Sequence, residues 1–269
     1  MKIAYSTLAF PGEETGAVLE KGASWGYQGV EIRLVDGQIV GTDFAEERAK
    51  QIGRAARRLG LAVVALDTSL AVLVGDAEVT AQEMARYLQL ARAFSAPLVR
   101  VFGGEVSDPA GPKSAFGRAR RAFEALGDMP VDMGVAFGLE THDSLARSAL
   151  LAELIEPLDP DVVGAVWDSH HPHRMGESPS EVLANLRGRI RLLQVKDALR
   201  DATDPSGWKL VALGEGEVPV QEILGLVARA GGVQWVSLEW ERHWHPEIDP
   251  ADLTLPRQLE TLKSWLEAA

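Results

Sequence analysis

Short apolar runs alternate with amphipathic stretches from one end of the chain to the other. The runs at 2–7, 29–34, 61–68, 97–103, 135–141, 163–168, 190–196 and 235–240 are mostly rich in Val, Ile and Leu. Strands covered on both faces have this composition. Between them, 14–25, 45–59, 80–95, 113–127, 145–156, 179–187, 219–230 and 255–267 carry the helical period. In 45–59, Ile52, Ala55, Ala56 and Leu59 share one face, and most of the charged residues lie elsewhere. Such a helix covers a sheet. Gly26, Gly60 and Gly231-Gly232 read as helix stops, Ser178-Pro179 as a helix start, and Thr80 with Glu83 as a capping box. The stretch from Asp201 to Gly216 reads as the longest irregular loop.

Eight strands in strict alternation with eight helices predict a single (β/α)₈ TIM barrel over residues 1–269, with no linker dividing it. The alternative, an open doubly wound sheet, normally carries a Gly-rich turn after its first strand. Here that position is Ser6-Thr7-Leu8-Ala9-Phe10.

Composition narrows the function classes. The net charge of −12 repels a phosphate backbone and argues against nucleic-acid binding. No apolar run approaches the roughly 20 residues of a membrane span, and the first residues read directly as a strand, without a signal peptide. The absence of cysteine excludes disulfides and thiolate metal sites and fits a cytoplasmic protein. A homo-oligomer is compatible with all of this.

The chemistry concentrates where four strands of the second half end. Glu140, Asp168, Gln194 and Glu239 close their apolar runs at similar depths, which suits one hard or borderline divalent cation: Mn, Mg, Co or Zn. Gln194 would offer only a neutral carbonyl oxygen. His142 shares a face with Glu140 and is a proton-transfer or substrate-binding candidate. Three histidines follow Asp168: His170, His171 and His173. Of these, His171 is the favoured substrate contact. All six histidines lie at or after strand ends, and none lies in a predicted helix. Lys196 shares a face with Gln194 and could steady an oxyanion. Glu241, on the face of Glu239, would orient a basic group. Arg33, beside Glu31 on strand two, and Arg100 on strand four either close the barrel mouth with salt bridges or grip a substrate. Trp167, with Trp240 and Trp244, could wall a sugar face.

Six segments together, one per element and in order, resemble the xylose-isomerase-like TIM-barrel superfamily, the sugar phosphate isomerase/epimerase group that also contains endonuclease IV. They are Gly29-Val30-Glu31-Ile32, Leu139-Glu140-Thr141-His142, Trp167-Asp168-Ser169-His170-His171-Pro172, Val195-Lys196-Asp197, Leu213-Gly214-Glu215-Gly216-Glu217-Val218 and Leu238-Glu239-Trp240-Glu241. The resemblance implies a metal held by Glu140, Asp168, Gln194 and Glu239, with Gln194 standing where most relatives place His. It implies that His171 contacts substrate and that Glu140 and Glu239 flank the reacting carbon. The expected function is a metal-dependent isomerase or epimerase of a small sugar or polyhydroxy carbonyl compound, working through an enediolate. A dehydratase of the 3-dehydroshikimate or inosose type with His142 as base, or a non-catalytic sugar-binding barrel, would occupy the same site.

Overall fold

The computed structural model describes residues 1–269. Eight parallel strands close into a barrel in chain order: β1 (Lys2–Ser6), β2 (Gly29–Ile32), β3 (Ala62–Ala71), β4 (Leu98–Phe102), β5 (Ala136–Glu140), β6 (Val163–Asp168), β7 (Ile190–Val195) and β8 (Trp235–Leu238). Closure is made by β1 against β8, Lys2 opposite Trp235 through Tyr5 opposite Leu238. The outer helices are α1 (Thr15–Trp25), α2 (Glu46–Arg58), α3 (Ala77–Phe94), α4 (Phe116–Glu124), α5 (Ser148–Ile155), α6 (Pro179–Leu186), α7 (Val220–Ala230) and α8 (Ala251–Glu267). The main core fills the layer between strands and helices. No helix is long and apolar enough to cross a membrane.

The barrel interior has its own small plug, Ala65, Leu98, Val166 and Leu192. Side chains two apart on a strand face the same way. One step further up, those four strands present Asp67, Arg100, Asp168 and Gln194 to the same interior, all buried. The sequence therefore changes from apolar to polar at a single level of the barrel, and that level is the floor of the mouth.

Several local readings are corrected. The helix expected over 80–95 begins at Ala77: Asp76 caps it by accepting from the Glu78 and Val79 amides, and Thr80 lies inside it, bonded back to the Asp76 carbonyl. The stretch expected as one helix over 113–127 is a 3-10 turn, Pro112–Ala115, followed by α4, with a separate helical turn at Met129–Met133. The last helix starts at Ala251 and runs through Pro256. Burial of Ala251, Thr254 and Leu255 offsets the one backbone bond the proline gives up. The region after β7 is not irregular throughout: Asp197–Arg200 pairs antiparallel with Trp208–Val211. The loop histidines also differ from expectation, because His170–Arg174 forms a helical turn.

Asp197 fixes this region. Its side chain points out of the barrel and accepts hydrogen bonds from the amides of Ala198, Gly214, Gly216 and Val218, at 2.9–3.0 Å. Gly216 is required by the close approach: a Cβ there would lie 2.1 Å from the Asp197 carboxylate.

Candidate active site

A cavity of about 230 Å³ opens at the C-terminal ends of the strands, lined by Leu8, Arg33, Arg100, Phe102, Glu140, His142, Lys196, Glu239, Glu241 and Trp244. Asp168 and Gln194 are fully buried at strand ends alongside it. Around this mouth six carboxylates (Glu31, Asp67, Glu140, Asp168, Glu239 and Glu241) face three cations (Arg33, Arg100 and Lys196). Negative charge is in excess in a region shielded from water.

Lys196 is the hub of one half. Its ammonium lies 2.8 Å from Asp168 Oδ2 and 2.6 Å from Glu239 Oε2, and it also pairs with Glu241. Burial opposes the charge, but Asp168, Glu239 and Glu241 more than offset it, so the pKa is raised well above the usual lysine value. Arg100 organises the other half. Its Nε sits 3.1 Å from Glu140 Oε2 and 3.8 Å from Asp67 Oδ1, and its Nη1 donates to the Thr68 carbonyl at 2.8 Å. Even so, burial pushes Glu140 up to about 7 and Asp67 up to about 6. Glu31 is raised well above the carboxylate range by burial, with Asp67 adding to the shift.

His142 projects from the end of β5 against Phe102 and His171, its ring 4.2 Å from that of His171. Its Nδ1 is 2.6 Å from Asp143 Oδ1. Burial works against protonation, but the Asp143 hydrogen bond and the Glu140 charge prevail and raise the pKa. Asp143 is itself fixed, with a backbone φ of 49° and a bond from the Gly104 amide. By contrast His170 is pushed down to about 3 and His171 well below its ordinary value, chiefly by burial and then by Lys196. The His170 turn is held by Asp168, whose Oδ1 accepts from the His170 and His171 amides at 2.7 and 3.3 Å.

Buried oxygens without a hydrogen-bond donor indicate where a cation fits. Gln194 Oε1 is in this state, whereas Glu140 Oε2 and Asp168 Oδ2 make no well-aligned hydrogen bond but already face Arg100 Nε at 3.1 Å and Lys196 Nζ at 2.8 Å. The Gln194 amide nitrogen is engaged by Glu31 at 3.0 Å, which leaves its carbonyl oxygen free. These are three of the four strand-end groups expected to hold a metal. The fourth, Glu239, shares the Lys196 ammonium with Asp168. A different trio, Glu140, His142 and His171, has ligand atoms within 4.8 Å of one another and forms a second candidate. The two sets share Glu140.

Of the remaining expected residues, Arg33 and Arg100 line the cavity, and Glu241 pairs with Lys196. Trp167 does not wall the cavity: it precedes Asp168 on β6, so it lies on the opposite face, within the main core. Trp240 is also core, and the apolar wall is formed by Leu8, Phe102 and Trp244. Sequence reasoning missed Asp67 and Asp143. An aspartate inside the apolar run Leu66-Asp67-Thr68 was the available signal for the first.

A family model described as "Xylose isomerase-like TIM barrel" matches residues 19–267. No curated protein matches the sequence. Among solved structures, the IOLI protein with a binding zinc atom superposes with a TM-score of 0.80 at 17% identity, over 100% of this chain and 99% of that one. D-psicose 3-epimerase with D-tagatose, from Clostridium cellulolyticum H10, superposes at 0.79 and 13% identity, over 99% of each chain. The probable 3-DHS dehydratase AsbF involved in petrobactin synthesis, from Bacillus anthracis, superposes at 0.77 and 18% identity, over 98% of this chain and 99% of that one. At these identities the likeness is one of fold.

Proposed function

Since the chain belongs to the xylose isomerase-like TIM barrel family, we propose that it is a divalent-metal-dependent isomerase or epimerase of a small polyhydroxy carbonyl compound. The observation that carries this is the gathering of buried strand-end oxygens on Glu140, Asp168, Gln194 and Glu239 at an acid-lined cavity, with Gln194 Oε1 left without any donor. With Glu239 they would hold the ion. When bound, a divalent ion supplies Lewis-acid stabilisation for negative charge developing on a carbonyl oxygen. That similar folds include a zinc-binding protein and a sugar epimerase adds support.

The chain's own groups account for the proton traffic. Glu140 and Glu239 both line the cavity, from β5 and from just beyond β8. Carboxylates on two sides of a carbon allow the proton to leave by one face and return by the other, as inversion requires. Lys196 keeps Glu239 in place at 2.6 Å and brings positive charge to the developing oxyanion. Leu8, Phe102 and Trp244 give the cavity its apolar side.

One observation favours a second reading, a dehydratase. His142 lines the cavity, has Nδ1 tied to Asp143 and so offers Nε2 as a single strong base. One base beside the carbonyl suits proton removal followed by loss of a β-hydroxyl. A dehydration product gains a conjugated chromophore, whereas an epimer does not.

The first test is metal content by mass spectrometry for the wild type, Glu239→Gln, Asp168→Asn and His171→Asn. The expected result is an ion in the wild type and in His171→Asn, and none in the other two. Loss in His171→Asn with retention in Asp168→Asn would move the metal to the histidine trio. No ion after incubation with Mn²⁺, Mg²⁺, Co²⁺ and Zn²⁺ would overturn the metalloenzyme reading.

A further inference from the structure

Two of the three cations at the mouth are neutralised from within the chain. Arg100 has Glu140 and Asp67, and Lys196 has Asp168, Glu239 and Glu241. Arg33 has no carboxylate within 4.0 Å. Its one side-chain bond is from Nη2 to the Ser69 hydroxyl, at 2.9 Å. Its Nη1 is buried without any acceptor, the residue is only 5% exposed, and it lines the cavity. A buried guanidinium without a counter-charge is costly unless something completes it.

The surroundings indicate what completes it. Burial lowers the Arg33 pKa to about 10, and the next cause is the Arg100 charge, ahead of Asp67, Glu140 and Glu239. Arg100 repels Arg33, while Asp67, Glu140 and Glu239 attract it from beyond ion-pair distance. We infer that Arg33 is the anchor for a carboxylate on the substrate, so that the polyhydroxy carbonyl compound of the proposed reaction is a sugar acid or cyclic hydroxy acid and not a neutral sugar. This assignment rests on that reaction for the rest of the molecule. A carboxylate suits the site better than a phosphate, because the surrounding carboxylates repel a dianion more strongly than a monoanion, and two parallel N–H groups match a carboxylate edge.

The test is calorimetry of the full chain in buffer containing Mn²⁺, with matched probes: D-gluconate against its neutral twin D-sorbitol, and D-glucose 6-phosphate against D-glucose. Each is measured on the wild type, Arg33→Met and Arg33→Lys. Arg33→Met should fold, because it removes an uncompensated buried charge and frees only the exposed Ser69 hydroxyl; circular dichroism checks this. The expected result is that gluconate binds more tightly than sorbitol, that Arg33→Met weakens gluconate by ~10-fold or more with little effect on sorbitol, and that Arg33→Lys falls between. Three results each overturn the assignment: equal binding of gluconate and sorbitol or of neither, gluconate binding unchanged in Arg33→Met, or Arg33 dependence confined to the phosphate. The proposed reaction fails separately, through absent metal or absent proton exchange with solvent, and either failure would leave a demonstrated carboxylate anchor standing.

Discussion

Lys196→Met removes the positive charge that holds Asp168, Glu239 and Glu241 together. The side chain is 4% exposed, and Asp168 and Glu239 are as deeply buried. Methionine fills nearly the same volume, so the loss is electrostatic and not a cavity. Breaking a buried ion pair from one side typically costs about 3–5 kcal/mol, because the partner charge stays behind without compensation. At roughly 2–4 °C per kcal/mol for a chain of this size class, the melting temperature of chelator-treated protein should fall by about 6–20 °C at neutral pH. A divalent cation should restore a large part of this, since Asp168 and Glu239 lose their internal cation but not their position. Differential scanning fluorimetry with EDTA, and then with graded Mn²⁺, reads both effects. A fall worth less than ~1 kcal/mol would show that Lys196 is solvated and that the three carboxylates do not depend on it. A full fall with no recovery in metal would refute the idea that these oxygens accept a cation.

Two further outcomes follow from groups placed above. Glu140 has a folded pKa raised to about 7, so its stabilising contribution is present below the unfolded value and is lost as pH rises through about 7. In EDTA, the wild type should therefore lose stability relative to Glu140→Gln between about pH 5 and pH 8, and a constant difference in denaturant titrations would contradict the shift. In the shell of the barrel, a Cβ on Gly22 of α1 would lie 2.2 Å from the ring of Tyr5, which is fully buried and donates to the Val18 carbonyl at 2.9 Å. Gly22→Ala should thus destabilise by about 1–3 kcal/mol despite its better helix propensity, and a stabilised variant would show that α1 shifts without cost.

The barrel was legible because its strands are covered on both faces, so each apolar run stands out against amphipathic helices. Leu192-Leu193-Gln194 illustrates this, with an apolar run ending on an interior polar group. Elements lying over the rim were harder to read. The pairing of Asp197–Arg200 with Trp208–Val211 buries little on its outer side, so it leaves no alternation to detect. The turn His170–Arg174 contains a proline, and its start is held by a local acceptor, the Asp168 side chain two residues earlier, which sequence reasoning assigns to the site alone. At the mouth, periodicity gave the depth of Glu140, Asp168, Gln194 and Glu239 but not their partners. That Lys196 engages two of the four, and that Glu31 takes the Gln194 amide, depends on strands distant in sequence meeting in the barrel. Trp167 was misjudged for the complementary reason: proximity in sequence to Asp168 placed it next to the site, whereas strand alternation puts adjacent residues on opposite faces.

That alternation has a further result at Lys196 and Asp197. One residue faces the reacting groups, and its neighbour grips the Leu213–Val218 loop through backbone amides alone. A clamp of this kind is blind to side-chain identity apart from the glycines at 214, which has a φ of 87°, and 216. Glu215 can therefore be exchanged while the path of the loop, and the position of the lysine beside it, stay fixed, whereas Glu217 adds a side-chain tie of its own to the Arg200 amide. The fold thus separates what can diversify from what must stay constant by a single residue step along one strand.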